Sequence, residues 1–179
     1  MSMTHSRSAR NKDIVTLFEE TFTASEGAAE GKTIGTFVDR MLDQTDPQDL
    51  RVFTTWDGFD LVAGVIFSKL VYSEDSRVVM ILYPMAVATT RQGEGTGQSL
   101  IRHGLEALRS EGVDVALTYG DPNFYGKVGF KSLSLADAAA PLPLSYPEGW
   151  IGQSLSGAPF EPLKGDCRCV PALNDPSLW

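Results

Sequence analysis

The residues best able to do chemistry lie in two short runs. The first is Gln92-Gly93-Glu94-Gly95-Thr96-Gly97-Gln98, directly ahead of a helical stretch. Glycines let a backbone turn sharply and approach a ligand closely. A helix starting behind them presents unpaired N–H groups and the positive end of its dipole. Together these features make an anion site, most often for phosphate; a tight strand-to-helix turn without any ligand uses the same residues. A nucleotide-triphosphate P-loop needs a Lys-Ser/Thr pair after its last glycine, and Gln98-Ser99 stand there instead. A dinucleotide fingerprint G-x-G-x-x-G needs a third glycine where Gln98 or Leu100 stands, depending on its start. The second run is Tyr125-Gly126-Lys127-Val128-Gly129-Phe130. A tyrosine, with an ordinary pKa of about 10, is neutral at pH 7 and can give up a proton to a stronger base. A half-buried core tyrosine would look the same.

Elements on either side must position these runs. In residues 11–24, Ile14, Leu17, Phe18 and Phe22 recur at helical spacing. A second helix is expected over 34–42, on the stripe Ile34, Phe37, Val38, Met41 and Leu42, with Asp46-Pro47 breaking the chain behind it. Residues 50–56 and 59–70 are rich in Val, Phe, Ile and Thr, and Asp57-Gly58 between them is a strong hairpin signal. A third strand over 77–88 contains Pro84, which cannot donate to a ladder and so demands a bulge, an edge or a splay. Leu100, Ile101, Gly104, Leu105 and Leu108 give the helix after the glycine run one apolar face, ending near Gly112. Residues 113–119 alternate as a strand should, and Gly120-Asp121-Pro122 then turns the chain. Most of the ten prolines lie at or after Pro141. That tail still carries Trp150, Ile151, Leu155, Phe160 and Trp179, so an ordered extension with one or two short strands is expected rather than a second domain.

Composition narrows the class. The chain has 179 residues, 42% hydrophobic and 21% charged, and a formal net charge of −8. That suits one globular domain with a sizeable core. It argues against a nucleic-acid partner, which Lys and Arg would have to hold, and mildly favours a cationic one. No apolar run follows Arg7, Arg10 and Lys12, so neither a signal peptide nor a membrane span is expected. Cys167 and Cys169 are too few for a four-ligand metal site and read as reduced thiols, which places the chain in the cytoplasm. No other metal-ligand cluster stands out, and His103 lies off the apolar stripe of its helix.

The two runs, their spacing and the order of elements between them resemble the GNAT superfamily of N-acetyltransferases. The family's pyrophosphate loop, Gln/Arg-x-x-Gly-x-Gly/Ala, is matched by Gln92, Gly95 and Gly97, and its Tyr…Gly-Phe ending by Tyr125, Gly129 and Phe130. The resemblance implies an α+β fold whose central, mostly antiparallel, twisted sheet has splayed fourth and fifth strands and flanking helices. It implies a single domain, 1–179, with the core over 11–135 and the proline-rich segment 136–179 packed on it. It also implies acetyl-CoA as cosubstrate, no metal, and a small-molecule or protein amine as acceptor, with homodimers common among relatives. By that resemblance Tyr125 is the general acid toward the CoA thiolate. The loop Gln92, Gly93, Glu94, Gly95, Thr96, Gly97 and Gln98 holds the pyrophosphate, and Met85, Ala86 and Val87 flank the pantetheine arm. Val87 N–H then supports the thioester carbonyl, and Asn123 stands for an asparagine that many members carry further from the tyrosine, near Thr118. Glu94 departs from the family, which often has a basic residue there. The third strand offers no carboxylate, so Glu26 is the expected base, with Asp121 competing. The alternative is an acyl-CoA-binding module without catalysis.

Overall fold

The computed structural model describes residues 2–5 and 11–179. Among the described residues, four α-helices and eight strands follow in the order β1 (Ser2–His5), α1 (Asn11–Glu26), α2 (Ala28–Gln44), β2 (Leu50–Asp57), β3 (Asp60–Tyr72), β4 (Val79–Val87), α3 (Thr96–Ser110), β5 (Val115–Tyr119), α4 (Pro122–Tyr125), β6 (Lys131–Ser132), β7 (Trp150–Ser154) and β8 (Cys167–Arg168). The strands join in the order β1-β2-β3-β4-β5-β7-β6, with β8 on β3. β4 and β5 run parallel, whereas β1–β2, β3–β8, β5–β7 and β6–β7 are antiparallel. This is the mixed α+β class with a mostly antiparallel sheet. A parallel pair needs a crossover, and α3 supplies it. The chain divides into two compact units, residues 1–67 with 84–104, and residues 68–83 with 105–179.

In the first unit, α1 and α2 lie against each other through glycine. A Cβ on Gly31 would stand 2.6 Å from the Glu19 carbonyl, and one on Gly35 would stand 2.9 Å from the Glu19 carboxylate. α1 buries Ile14, Leu17 and Phe18, and Phe18 lies against Gly64 of β3. Each Phe- or Leu-sized side chain taken from water contributes about 1.5–3 kcal/mol. The front half of α3 rests on Phe53 and Phe67, whose rings meet edge-on at 5.9 Å. Gly104 makes room for them: a Cβ there would come within 2.9 Å of Phe67.

In the second unit, β7 (Trp150–Ser154) pairs along the whole of β5, from Val115↔Ser154 to Tyr119↔Trp150. The segment beyond residue 135 therefore supplies a strand to the sheet, besides packing on it. β8 pairs Val71 and Tyr72, the end of β3 that outruns the shorter β2. The turn between β3 and β4 grips the tail. Asp75 accepts from Arg77 Nε and Lys164 N, while Arg77 donates to the Glu161 and Pro162 carbonyls. The Arg77 guanidinium beside Asp75 holds its carboxyl well below the usual carboxylate range. Trp150 and Trp179 close the tail over Tyr119, which stacks on Trp179 at 6.0 Å. Both indole N–H groups are satisfied, by the Ala138 and Leu173 carbonyls.

Candidate active site

The glycine run forms the connection from β4 to α3. Gly93 and Gly95 both adopt φ 79°, which side-chain-bearing residues rarely do, and an added Cβ at either would meet open space. Neither is needed for packing; both are needed for the turn. The bonds that bound the run are Arg91 N to Ala88 O and Ser99 N to Gly95 O. Between them, the N–H groups of Gly93, Glu94, Gly95, Thr96 and Gly97 meet no acceptor among the described residues. These are the orphan donors of a helix start with the glycine turn ahead of it, a concentration of partial positive charge. Gln92 turns its side chain back, Nε2 donating to the Val87 carbonyl at 3.0 Å, and so ties the loop to the end of β4. Ala88 N–H is taken by Val62 of β3. The alternation of a strand then turns Val87 N–H, one residue earlier, away from β3. Met85 and Val87 are half-buried, with buried Ala86 between them.

Glu94 has a partner that sequence reasoning missed. Arg91 sits between two carboxylates, forming an ion pair with Asp57 at the hairpin tip and a second with Glu94 at 3.6 Å. The acidic residue in the loop is thus answered by its own neighbour. Only the Asp57-Gly58 hairpin signal, which brings Asp57 to a tip, hinted at this.

In the second unit, the β4–β5 ladder runs from Val79↔Val115 to Leu82↔Thr118. It stops before Pro84, while β4 continues to Val87. Thr118, fully buried, donates from Oγ1 to the Leu82 carbonyl at 2.8 Å, across that last rung. The same hydroxyl lies near enough to the Tyr125 hydroxyl to draw its pKa down. Burial pushes the Tyr125 hydroxyl up to about 12; the Thr118 bond pulls the other way, and Tyr83 and Asp121 add to the rise. Tyr125 is therefore a protonated phenol over the whole working pH range.

The Gly-Phe ending has a mechanical reason. Gly129 takes φ 98° and closes a turn by donating to Gly126 O. A Cβ there would stand 2.9 Å from Gln153 Oε1. The turn delivers Phe130 edge-on to the Tyr125 ring at 5.8 Å, with Phe124 edge-on at 5.0 Å. Asp121 caps α4 by accepting from Asn123 N–H, and Asn123 itself is exposed. Glu26, the expected base, is exposed at the last position of α1. Thr118 is the residue at this site whose role the spacing alone did not disclose. Cys167 and Cys169 are both free; burial pushes the Cys167 thiol up to about 12, which leaves little thiolate. Among the described residues, no group of His, Cys, Asp or Glu could hold a metal ion, and no helix is long and apolar enough to cross a membrane.

Fold, loop and tyrosine turn together define a class, and comparison with known proteins confirms it: the chain belongs to the GNAT superfamily of N-acetyltransferases. It is 32% identical over 134 residues to the uncharacterized N-acetyltransferase YjhQ of Escherichia coli K12, covering 72% of each chain. No protein-family model matches. Among solved structures, a GNAT family acetyltransferase from Brucella melitensis in complex with acetyl-CoA superposes with a TM-score of 0.74 at 22% identity, over 97% of both chains. YhbS from Escherichia coli, a GNAT family N-acetyltransferase in complex with CoA, gives 0.75 at 21% identity, over 97% of this chain and 92% of that one.

Proposed function

We propose that the protein transfers an acetyl group from acetyl-CoA to a primary amine by direct attack in a ternary complex. The observation that carries the reading is the half-buried Tyr125, set beside Thr118 at the end of the β4–β5 ladder with its hydroxyl pushed up to about 12. Support for the cosubstrate comes from the loop: five consecutive amides without acceptors, on an open glycine turn, fit a pyrophosphate. The backbone amides of residues 92–97 and the Gln98 position would hold it, with Met85, Ala86 and Val87 along the pantetheine arm like an added strand and Asn123 as a further contact. The CoA relatives named above support the same assignment.

When bound, acetyl-CoA supplies an activated acyl carbon with a thiolate as leaving group. The chain's residues do the rest. The acceptor arrives as an ammonium with a pKa near 10.4 and must lose a proton, for which Glu26 is the assigned base. The free amine then attacks the thioester carbon while Val87 N–H meets the charge developing on the carbonyl oxygen. The C–N bond forms and the C–S bond breaks. Tyr125 gives its proton to the departing thiolate and recovers one from the second N–H of the new amide nitrogen through solvent. The balance is ammonium plus acetyl-CoA giving N-acetyl amine, CoA thiol and one proton. The two free thiols, Cys167 buried and Cys169 half-buried, suit a cytoplasmic enzyme.

The test is thiol release from acetyl-CoA across a panel of amines, for the wild type and Tyr125→Phe. Turnover that falls at least tenfold in the variant, with CoA affinity retained, is expected. Tight CoA binding without turnover on any amine would instead leave an acyl-CoA-binding module and overturn the enzyme.

A further inference from the structure

Beside Tyr125, and entirely within the second unit, a cavity of about 320 Å³ opens between the β5–α4 turn and the turn leading into β7. Its walls are Tyr119, Gly120 and Asp121 on one side and Tyr146, Glu148 and Gly149 on the other. Two main-chain ties hold the walls at fixed spacing: Gly120 N donates to Gly149 O, and Tyr146 N donates to Tyr119 Oη at 2.8 Å. Gly120 forms the partition toward the acid. A Cβ on it would stand 2.7 Å from the Tyr125 ring, so the cavity and the phenol lie on either side of one residue that carries no side chain.

The wall is mostly apolar, and among the lining residues are two exposed carboxylates, Asp121 and Glu148, and no cation. The Glu148 carboxylate has no hydrogen-bond or ion-pair partner among the described residues, and Asp121 spends one oxygen on the Asn123 N–H and keeps the other. The remaining surface is aromatic. Tyr146 is 68% exposed, an apolar ring left in water at the rim, while Tyr119 is fixed by its stack on Trp179. An anion would meet repulsion here, and an uncharged apolar group would strip water from two carboxylates without paying them back. An ammonium on a short aliphatic chain satisfies both halves, with the charge against the carboxylates and the tyrosine faces and the methylenes against the rings.

We propose that this cavity is the acceptor's specificity site: it binds a cationic group of the amine substrate, with Glu148 and Asp121 as its charge partners and Tyr119 and Tyr146 as its walls. The preferred acceptor is thus a primary amine bearing a second positive centre, as in a diamine or polyamine. The assignment rests on the acetyltransferase reading given above, and its test separates the two.

Three amines of equal chain length serve as probes: putrescine, whose tail is an ammonium, butylamine, whose tail is uncharged, and γ-aminobutyrate, whose tail is a carboxylate. In thiol-release kinetics the wild type should rank them in that order of kcat/KM. Each charge step should be worth roughly fivefold, the scale of an exposed ion pair, and should be carried by KM. Glu148→Gln, which keeps the shape of an exposed side chain, should compress the ranking, bringing putrescine and γ-aminobutyrate closer together. Tyr146→Ala should weaken putrescine more than butylamine, and Tyr146→Phe should restore it. Glu30→Gln, an exposed change on α2, should leave the ranking alone. Turnover without dependence on tail charge, or a ranking that Glu148→Gln and Tyr146→Ala do not alter, overturns the cavity assignment and leaves the acetyltransferase standing. Failure of all three probes also overturns it, and the enzyme then stands or falls on the broader amine panel.

Discussion

Thr118→Val isolates the hydroxyl that joins the sheet to the acid. Valine has threonine's shape, so no cavity opens at this fully buried position. What is lost is one donor to the Leu82 carbonyl, at 2.8 Å, and the hydroxyl that draws the Tyr125 pKa down against burial. Leaving buried polar groups short of a partner costs about 1–3 kcal/mol. For a chain of this size each kcal/mol lowers Tm by roughly 2–4 °C, so calorimetry should show a modest, clear drop. The catalytic effect is separate. The Thr118 hydroxyl holds the Tyr125 pKa below where burial alone would put it, so its loss makes the phenol a weaker acid. One hydrogen bond in the transition state corresponds to about tenfold in rate. The expected result is a fall of that order in kcat, measured by thiol release at saturating amine, with KM for acetyl-CoA little changed. Thr118→Ser restores the hydroxyl and should recover kcat. A Thr118→Val enzyme with wild-type Tm and kcat would refute this role of Thr118. So would a Thr118→Ser enzyme as slow as Thr118→Val, since the missing methyl would then be the cause.

Three further outcomes follow from the same contacts. Because Tyr125 titrates near 12 in the folded chain, kcat/KM should rise with pH as the acceptor ammonium loses its proton, with no falling limb from the phenol below about pH 10; stopped assays across that range check it. Gly31→Ala drives a Cβ to 2.6 Å from the Glu19 carbonyl, so α1 and α2 must separate, and urea unfolding should report a loss of about 1–3 kcal/mol. Asp75 is ionised well below its ordinary range by Arg77. Its contribution to stability is therefore present above the unfolded pKa and lost as pH falls through and below it, and Asp75→Asn should flatten the acid side of a Tm-against-pH curve.

The periodic elements were legible because their signals are local. Asp57-Gly58 placed the hairpin, the apolar stripes placed α1, α2 and α3, and the glycine run marked the β4–α3 connection. Boundaries moved by a few residues where tertiary pairing overrode propensity: α2 begins at Ala28, ahead of its apolar stripe, because Gly31 and Gly35 let it lie close to α1. Three features were not legible. β1 has no apolar alternation and exists through its register with β2, Ser2↔Trp56 to His5↔Phe53. The tail's residues point to one or two short strands, but that β7 takes the free edge of β5 is a fact of topology that the proline-rich text around it conceals. The grip of Asp75 and Arg77 on residues 161–164 runs largely through carbonyls and amides, which no side-chain pattern announces. At the candidate site, Tyr125 and the glycines stand out in the sequence because the proposed chemistry demands those residue types. Thr118 could not, since a hydroxyl that bonds a neighbouring strand looks like any β-branched residue in a sheet.

The glycine loop carries its donors on the main chain, and that has a consequence for heredity. A site made of side chains is lost when one residue drifts. A site made of amides persists as long as Gly93 and Gly95 keep φ near 79°, whatever residues stand between them. Selection can therefore hold the torsion angles while letting almost every letter around them change, and even tolerate an acid at Glu94 once Arg91 answers it. Such a protein can diverge to 32% identity from a recognisable relative and still keep its fold over almost the full length of structures at 21% and 22%. An alanine scan of the loop would share the same blindness: only the positive-φ glycines would register, and the donors themselves would pass unseen.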